Sequence, residues 1–566
     1  MKNKNYQLKL AGVLAFAIAC FSLNFGITTA AQSNNRQRVI EKTTPTPKQT
    51  PTAVPTKPTA TATPTLSPIA SPTPVSVQTL ADLQARIRVA LLRPELRRGQ
   101  VGLKIASLDT GKTIYEENAE KYFMPASNMK SFTIATALEK LSPDFRFITS
   151  VYSSAKPDAS GVVRGLAIYG RGDVSFSAGF NDGDYYKGLE ALADKIVQAG
   201  VKKIDGDLVG DESYFNGNPI PGGWEWDDLQ WYYGAEISAL GVNDNAVDLS
   251  VKPSAVNSLC AVQILPVNSI VKINNTCVTA ASGTKRDIQV TKKLNQNIIE
   301  ISGTMPADDK GYAGSLTVSH PSELFVELLR QVLEKKGVVV TGRSRVIGVK
   351  EKAMLAVASQ LPPVEVARLE SVPLSVVAAK TMKPSNNTYT ETILWTLGQE
   401  GRGATITNVT TAANPYLNPK ATSAEKGLFV VQNFLREVGI SADSVVQWDG
   451  SGLSRHNLVT PGSLVQLYTY MAKQSRFSLV WQNSLTIAGV DGTLQNRFKG
   501  TPAAGNVRGK TGTIDQVSAL SGYVTTTAGE KLVFSILVNE VPDSKARVGT
   551  IDMIVNALAS FNGKTN

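Results

Sequence analysis

Apolar residues recur at helical spacing from Leu80, through Leu83 and Ile87 to Ala90 and Leu91. Residues three and four apart share one face of a helix, so this stretch predicts an amphipathic helix, with folding beginning near Thr79. Val101, Leu103 and Ile105 then alternate with other side chains, the signature of a strand. Asp109-Thr110-Gly111 turns the chain, and Lys112 to Tyr115 returns as a hairpin partner. A second helical run carries Phe132, Ile134, Ala135, Leu138 and Leu141 and stops at Leu141-Ser142-Pro143. Ser127 stands at the mouth of that helix, and Lys130 follows one turn later on the same face.

From about residue 148 to 355 the pattern changes to short alternating segments and turns. Asp158-Ala159-Ser160-Gly161, Gly170-Arg171-Gly172-Asp173 and Ile204-Asp205-Gly206-Asp207 punctuate it, and Val247 to Val251 reads as a strand. One helix stands out, with Ser322 as its N-cap, Leu324, Phe325, Leu328, Leu329 and Val332 on its apolar face, and Gly337 at its end. Trp224, Trp226 and Trp231 are read as packing anchors, the alternative being a wall for sugar or peptide. From about residue 356 the helical texture returns. Leu374 to Thr381 predicts a helix that Lys383-Pro384-Ser385-Asn386-Asn387 breaks. Leu520 to Val524 and Lys531 to Val538 form a hairpin about Ala528-Gly529, and Val548, Ile551, Ile554 and Leu558 mark a last helix. The expected organisation is one domain in two parts, 79–147 and 356–566, interrupted by a β-rich insertion over 148–355.

The N-terminal region differs from all of this. Lys2, Lys4 and Lys9 precede an apolar stretch from Leu10 to about Leu23, and Thr28, Thr29, Ala30 and Ala31 follow. This is the pattern of a secretory signal peptide over residues 1–31, with an uncleaved anchor as the alternative. Its apolar core is shorter than the roughly 20 residues that span a bilayer, so no stable membrane span is expected after cleavage. Residues 32–78 are a spacer made mostly of Thr, Pro, Ala, Ser and Lys. Such a composition has too little apolar surface to offset the entropy of ordering. Of the chain's net charge of +11, residues 1–79 supply +7, leaving an ordinary globular surface of +4 with no basic-aromatic stripe for nucleic acid. Three cysteines are present; once Cys20 leaves with the signal, Cys260 and Cys277 are the only pair, expected as a disulfide in an oxidising compartment, or else as two buried thiols.

A hydroxyl and an amine one turn apart, as at Ser127 and Lys130, can do nucleophilic chemistry if burial or a second cation lowers the amine's pKa. The pair alone is weak, since Ser-x-x-Lys recurs at Ser153/Lys156, Ser282/Lys285 and Ser423/Lys426. Two further motifs follow in order: Ser385-x-Asn387 between helices, and Lys510-Thr511-Gly512 on a strand before a hairpin. Their joint occurrence matches the serine acyl-transferases that recognise penicillin.

The roughly 260 residues between Ser127 and Ser385 narrow the match. So large an insertion resembles the low-molecular-mass class C penicillin-binding proteins, the D-Ala-D-Ala carboxypeptidase/endopeptidase family. Leu141-Ser142-Pro143-Asp144-Phe145-Arg146-Phe147, Ile204-Asp205-Gly206-Asp207, Asp449-Gly450-Ser451-Gly452-Leu453-Ser454-Arg455-His456-Asn457 and Ala488-Gly489-Val490-Asp491-Gly492-Thr493-Leu494 agree. The resemblance covers roughly residues 80–560. It implies an α+β fold, a β-lactamase/transpeptidase-like domain with an antiparallel sheet flanked by helices. It also implies a penicillin-sensitive serine D,D-peptidase acting on peptidoglycan stem peptides, with β-lactams as further ligands and the exported side of the membrane as its compartment.

In that frame Ser127 Oγ attacks the substrate carbonyl, Lys130 is the base, and Ser385 relays the proton to the leaving amine. Lys510 is expected to favour a neutral Lys130 by like-charge repulsion. Asn387 holds the substrate amide and Lys130. Lys510 and Thr511 suit a terminal carboxylate, and Gly512 lets substrate backbone lie close to the strand. By resemblance, the N–H groups of Ser127 and Thr513 form an oxyanion hole. Arg455 either meets an acidic group on the third residue of the stem peptide or holds a tight turn. Asn243 and Asp244 compete for the position of a substrate-contacting acid. No metal-ligand spacing, cofactor motif or phosphate loop is present, and the only histidines, His320 and His456, lack a triad context. A β-lactamase is the alternative, but no Glu-x-x-Leu-Asn segment lies between Asn387 and Lys510. A non-catalytic wall-binding protein is the other.

Overall fold

A computed structural model describes residues 76–358, 363–401 and 415–565. The signal-peptide reading, nearly all of the spacer, and Cys20 lie outside the described residues. The first helix spans Leu80–Leu91 and opens with a reciprocal cap. Thr79 Oγ1 accepts the Asp82 N–H at 3.2 Å, and Asp82 Oδ2 accepts the Thr79 N–H at 2.8 Å. Its stripe buries Leu83 and Ile87 completely, each contributing about 1.5–3 kcal/mol.

The central layer is a six-stranded antiparallel sheet. Its order is Thr113–Glu117, Gln100–Ser107, Lys531–Asn539, Val517–Thr525, Arg508–Ile514 and Thr486–Ile487. Alternation along each strand sends side chains to two faces. Leu103, Phe534 and Ile536 pack with Leu83, Ile551 and Ile554 from the first and last helices. Ala106, Val533 and Leu537 pack with Phe132, Leu138, Ile393 and Tyr468 from helices Lys130–Leu141, Asn387–Glu400 and Pro461–Lys473. The catalytic candidates lie along this second face.

A separate core gathers Val151, Ile168, Leu192, Leu249, Ile301 and Leu328. It is built from a five-stranded mixed sheet running from Ser344–Ile347 to Val364–Glu370, a three-stranded sheet about Ala246–Lys252, and a four-stranded sheet about Ile298–Pro306. Cys260 and Cys277 are joined by a disulfide in this region.

Three details differ from the sequence reading. A helix at Lys187–Gln198 was not anticipated, although Leu189, Leu192, Ala193 and Ile196 carry its stripe. The helix Pro321–Lys335 is preceded by His320 in the left-handed region, with Pro321 as its first residue. Ser322 is therefore no N-cap, and its hydroxyl donates to Glu212. Trp224 is buried, as an anchor should be, but Trp226 is 72% exposed and anchors nothing.

Candidate active site

Ser127 lies in a single 3-10 turn, Ala126–Met129, that runs directly into the helix Lys130–Leu141. The turn is tight enough to hold Ala126 at φ 46°, a left-handed conformation unusual for a residue with a Cβ. The strand Arg508–Ile514 packs straight onto it. A Cβ on Gly512 would fall 2.5 Å from Pro125 O and 2.9 Å from Asn128 Nδ2. The glycine thus admits the nucleophile turn, a constraint additional to the close substrate approach expected from the sequence.

Lys130 is fully buried, and three oxygens surround its amine. Ser127 Oγ lies at 3.0 Å, Asn387 Oδ1 at 2.6 Å and the Ser451 carbonyl at 2.7 Å. An amide oxygen and a carbonyl can only accept. A neutral amine that donates its two N–H bonds to them keeps its lone pair for Ser127. Burial pushes the Lys130 pKa down to about 7, while the carboxylates of Asp449 and Glu391 pull the other way. Desolvation is therefore the main cause of the shift, in place of the expected repulsion from Lys510. Asn387 is fixed on both sides, since its Nδ2 donates to Tyr233 O at 2.8 Å.

The second amine, far off along the chain, bonds the same segment as the first. Lys510 is also fully buried, and its Nζ donates to Ser385 Oγ at 2.8 Å and Thr511 O at 2.9 Å. Ser385 has φ 66°, a left-handed bend just ahead of helix Asn387–Glu400, which Asn386 caps by accepting the Tyr389 N–H. That bend is buttressed from Ala488–Leu494. Lys383 pairs with Asp491, the Thr493 N–H donates to Lys383 O at 3.0 Å, and the Thr493 and Thr511 hydroxyls share a hydrogen bond of 2.7 Å. Thr513 is exposed, and its hydroxyl turns back to Gly512 O. The segment Ser385–Asn387 therefore serves both amines.

Arg455 is held in place. Its Nε donates to Glu225 Oε1 at 3.0 Å and its Nη1 to Asp515 O at 3.1 Å, with the side chain 29% exposed. Asn243 and Asp244 are occupied elsewhere. Asn243 bonds the Ala178 N–H and Tyr185 O, and Asp244 accepts from the Ser177 and Tyr389 hydroxyls. Sequence reasoning missed Glu391, which lies completely buried under the loop Asp449–Ser454 and accepts the Gly450 and Ser451 N–H groups. Burial, and secondarily Asp449, raises its pKa.

A sheet flanked by helices, with a serine at the mouth of a helix bonded to one buried lysine, and a second buried lysine on the adjoining strand bonded to Ser385, defines a serine acyl-transferase of the penicillin-binding type. The D-Ala-D-Ala carboxypeptidase 3 (S13) family matches residues 83–560, and the chain belongs to it. The D-alanyl-D-alanine carboxypeptidase of Actinomadura sp. (strain R39) is 33% identical over 496 residues, 86% of each chain. D-alanyl-D-alanine carboxypeptidase DacB of Haemophilus influenzae is 26% identical, over 80% of this chain and 88% of that one. The crystal structure of penicillin binding protein 4 (dacB) from Haemophilus influenzae superposes with a TM-score of 0.67 at 23% identity, covering 85% of this chain and 98% of that one. The protein is a serine-type D,D-carboxypeptidase of class C penicillin-binding type.

Proposed function

We propose that Ser127 is the residue acylated, and that Lys130 takes its proton as the hydroxyl adds to the penultimate D-alanine carbonyl of a peptidoglycan stem peptide. The observation that carries this is the amine 3.0 Å from Ser127 Oγ, with both its other partners pure acceptors. The C–N bond to the terminal D-alanine then breaks. Ser385, hydrogen-bonded to Lys510, is suited to pass a proton to the departing amine. Water hydrolyses the ester and frees Ser127. The backbone N–H groups of Ser127 and Thr513 are assigned to the carbonyl oxygen as its charge develops. Lys510 and Thr511 are assigned to the terminal carboxylate, and Asn387 to the peptide amide. Arg455 supports recognition of an acidic group on the third stem residue, where such a group would compete with Glu225.

The division into 79–147 with 356–566, and 148–355, is proposed as the domain organisation. The separate cores support it in outline, while strand Val364–Glu370 completes the sheet of the inserted part and Phe215, Ile237 and Ala239 of that part join the core around the Ser127 helix. Residues 1–31 are proposed as the export signal, with the wall space as the working compartment. The Cys260–Cys277 disulfide supports an oxidising location. No helix among the described residues is long and apolar enough to cross a membrane.

Digestion of purified stem peptides, monomeric and cross-linked, with product masses read out, tests the reaction. Loss of a single D-alanine from pentapeptide is expected; intact substrates overturn it. A fluorescent penicillin should give a long-lived label, whereas rapid turnover of the drug would indicate a β-lactamase.

Only neutral Lys130 can accept the Ser127 proton. With its pKa near 7, the acylation rate is expected to climb as pH rises through about 7 and to level off above it. Rapid mixing with a β-lactam across that range measures this, and a profile that is flat below neutrality contradicts the assignment. Lys510→Ala removes a charge-assisted contact worth about 1.5–3 kcal/mol. It is expected to raise KM roughly 10- to 100-fold while lowering kcat much less. A fall in kcat with KM unchanged would place Lys510 in the chemical step instead.

A further inference from the structure

Two carboxylates beneath Lys130 are not used by the proposed reaction. Glu391 and Asp449 are 0% and 1% exposed, and neither forms an ion pair among the described residues. Their oxygens grip the backbone of one loop. Glu391 Oε2 accepts the Gly450 N–H at 3.0 Å and Glu391 Oε1 the Ser451 N–H at 2.7 Å. Asp449 Oδ1 accepts the Gly452 N–H at 2.7 Å, and its Oδ2 the Ser454 N–H at 2.7 Å.

These bonds have one consequence for the amine. The peptide unit between Ser451 and Gly452 has its N–H on Asp449 and its C=O on Lys130 Nζ, 2.7 Å away. The preceding two N–H groups are on Glu391. The direction of the Ser451 carbonyl is therefore set on both sides by buried carboxyl oxygens. That carbonyl is one of only two acceptors that decide where the Lys130 lone pair points. The two N–H groups fall on two different oxygens of Glu391, and a carboxamide in its place would present an NH2 group at one of those positions.

We infer that Glu391 is a positioning residue: by holding the Gly450 and Ser451 N–H groups it fixes the carbonyl that orients Lys130 toward Ser127. Glu391 touches neither Ser127 nor substrate and acts through the loop. This rests on Lys130 being the base.

The test separates pre-covalent binding of a chromogenic β-lactam from the acylation step, by following the acylation rate against drug concentration. In Glu391→Gln, one N–H faces an NH2 group instead of an acceptor. Its acylation rate constant is expected to fall roughly a hundredfold, the effect of misplacing a reacting group by about 1 Å. The pre-covalent binding constant should not change. Glu391→Asp keeps both oxygens and should recover part of the rate. A merely structural role would lower the thermal midpoint and the fraction of active protein, yet leave the rate per titrated site unchanged, and that result overturns the inference. If Glu391→Gln fails to fold, Glu391→Asp alone decides, and a rate constant within about twofold of wild type overturns it. Lys130→Ala measured alongside tells the two failures apart. Acylation by that variant would defeat the base assignment itself. An inactive Lys130→Ala beside fully active Glu391 variants would defeat only the positioning role.

Discussion

Ser127→Ala, incubated with benzylpenicillin and weighed by mass spectrometry, is expected to remain at its unmodified mass. Without the hydroxyl no ester can form, and turnover of stem peptide should drop by roughly a millionfold, the scale seen when a serine enzyme loses its nucleophile. The rest of the site should survive the change. Lys130 keeps Asn387 Oδ1 and the Ser451 carbonyl as partners, and Lys510 keeps Ser385. Reversible binding of drug and substrate should therefore persist. A covalent adduct on the alanine variant would show that another residue is the nucleophile, and the reading of the cleft would fail with it.

The second large effect is expected at Lys130. Lys130→Ala removes the proposed base, which should slow acylation by roughly 10^2- to 10^4-fold. It also strands two buried acceptors, Asn387 Oδ1 and Ser451 O, at about 1–3 kcal/mol each, so a lower thermal midpoint should accompany the loss. Lys130→Arg is the sharper experiment. It keeps the positive charge but cannot give up a proton at any working pH. If Lys130 serves as a base, the arginine variant should be as inert as the alanine one. Acylation at near wild-type rate in Lys130→Arg would mean that the site needs only a cation there.

How much of this could be read from the chain varied with the physics of each element. The Leu80 helix and the first hairpin were legible because each has a wet face, so polar and apolar positions alternate at the period of the element. The Ser127 helix, buried throughout from Lys130 to Leu138, was legible only from its apolar run and the Ser142-Pro143 stop. The three motifs were legible because covalent neighbours supply each one: a helix turn places Ser127 by Lys130, a strand holds Lys510 beside Thr511. Glu391 was not legible. Its helix is buried on all sides from Asn387 to Gly398, so no stripe distinguishes a face, and a glutamate among threonines reads as a solvated residue. The Ser451 carbonyl was beyond reach for a different reason: a backbone acceptor has no residue type to betray it. The helix Lys187–Gln198 is legible in principle, since Leu189, Leu192, Ala193 and Ile196 recur on one face. At the next helix the preference of serine for the cap position misled, because a left-handed His320 followed by Pro321 opens that helix instead.

One short stretch, Trp224 to Tyr233, bears on how far this enzyme could be trimmed. It belongs to the long interruption between the first two motifs, yet Trp224 Nε1 donates to Asp449, Glu225 holds Arg455, and the Tyr233 carbonyl anchors Asn387. Cutting out the interruption to leave a minimal catalyst would strip the remaining halves of three supports around their own reactive centre. The large intervening region is thus no detachable ornament, and a miniaturised version would have to invent substitutes for a tryptophan, a carboxylate and a peptide oxygen before it could work.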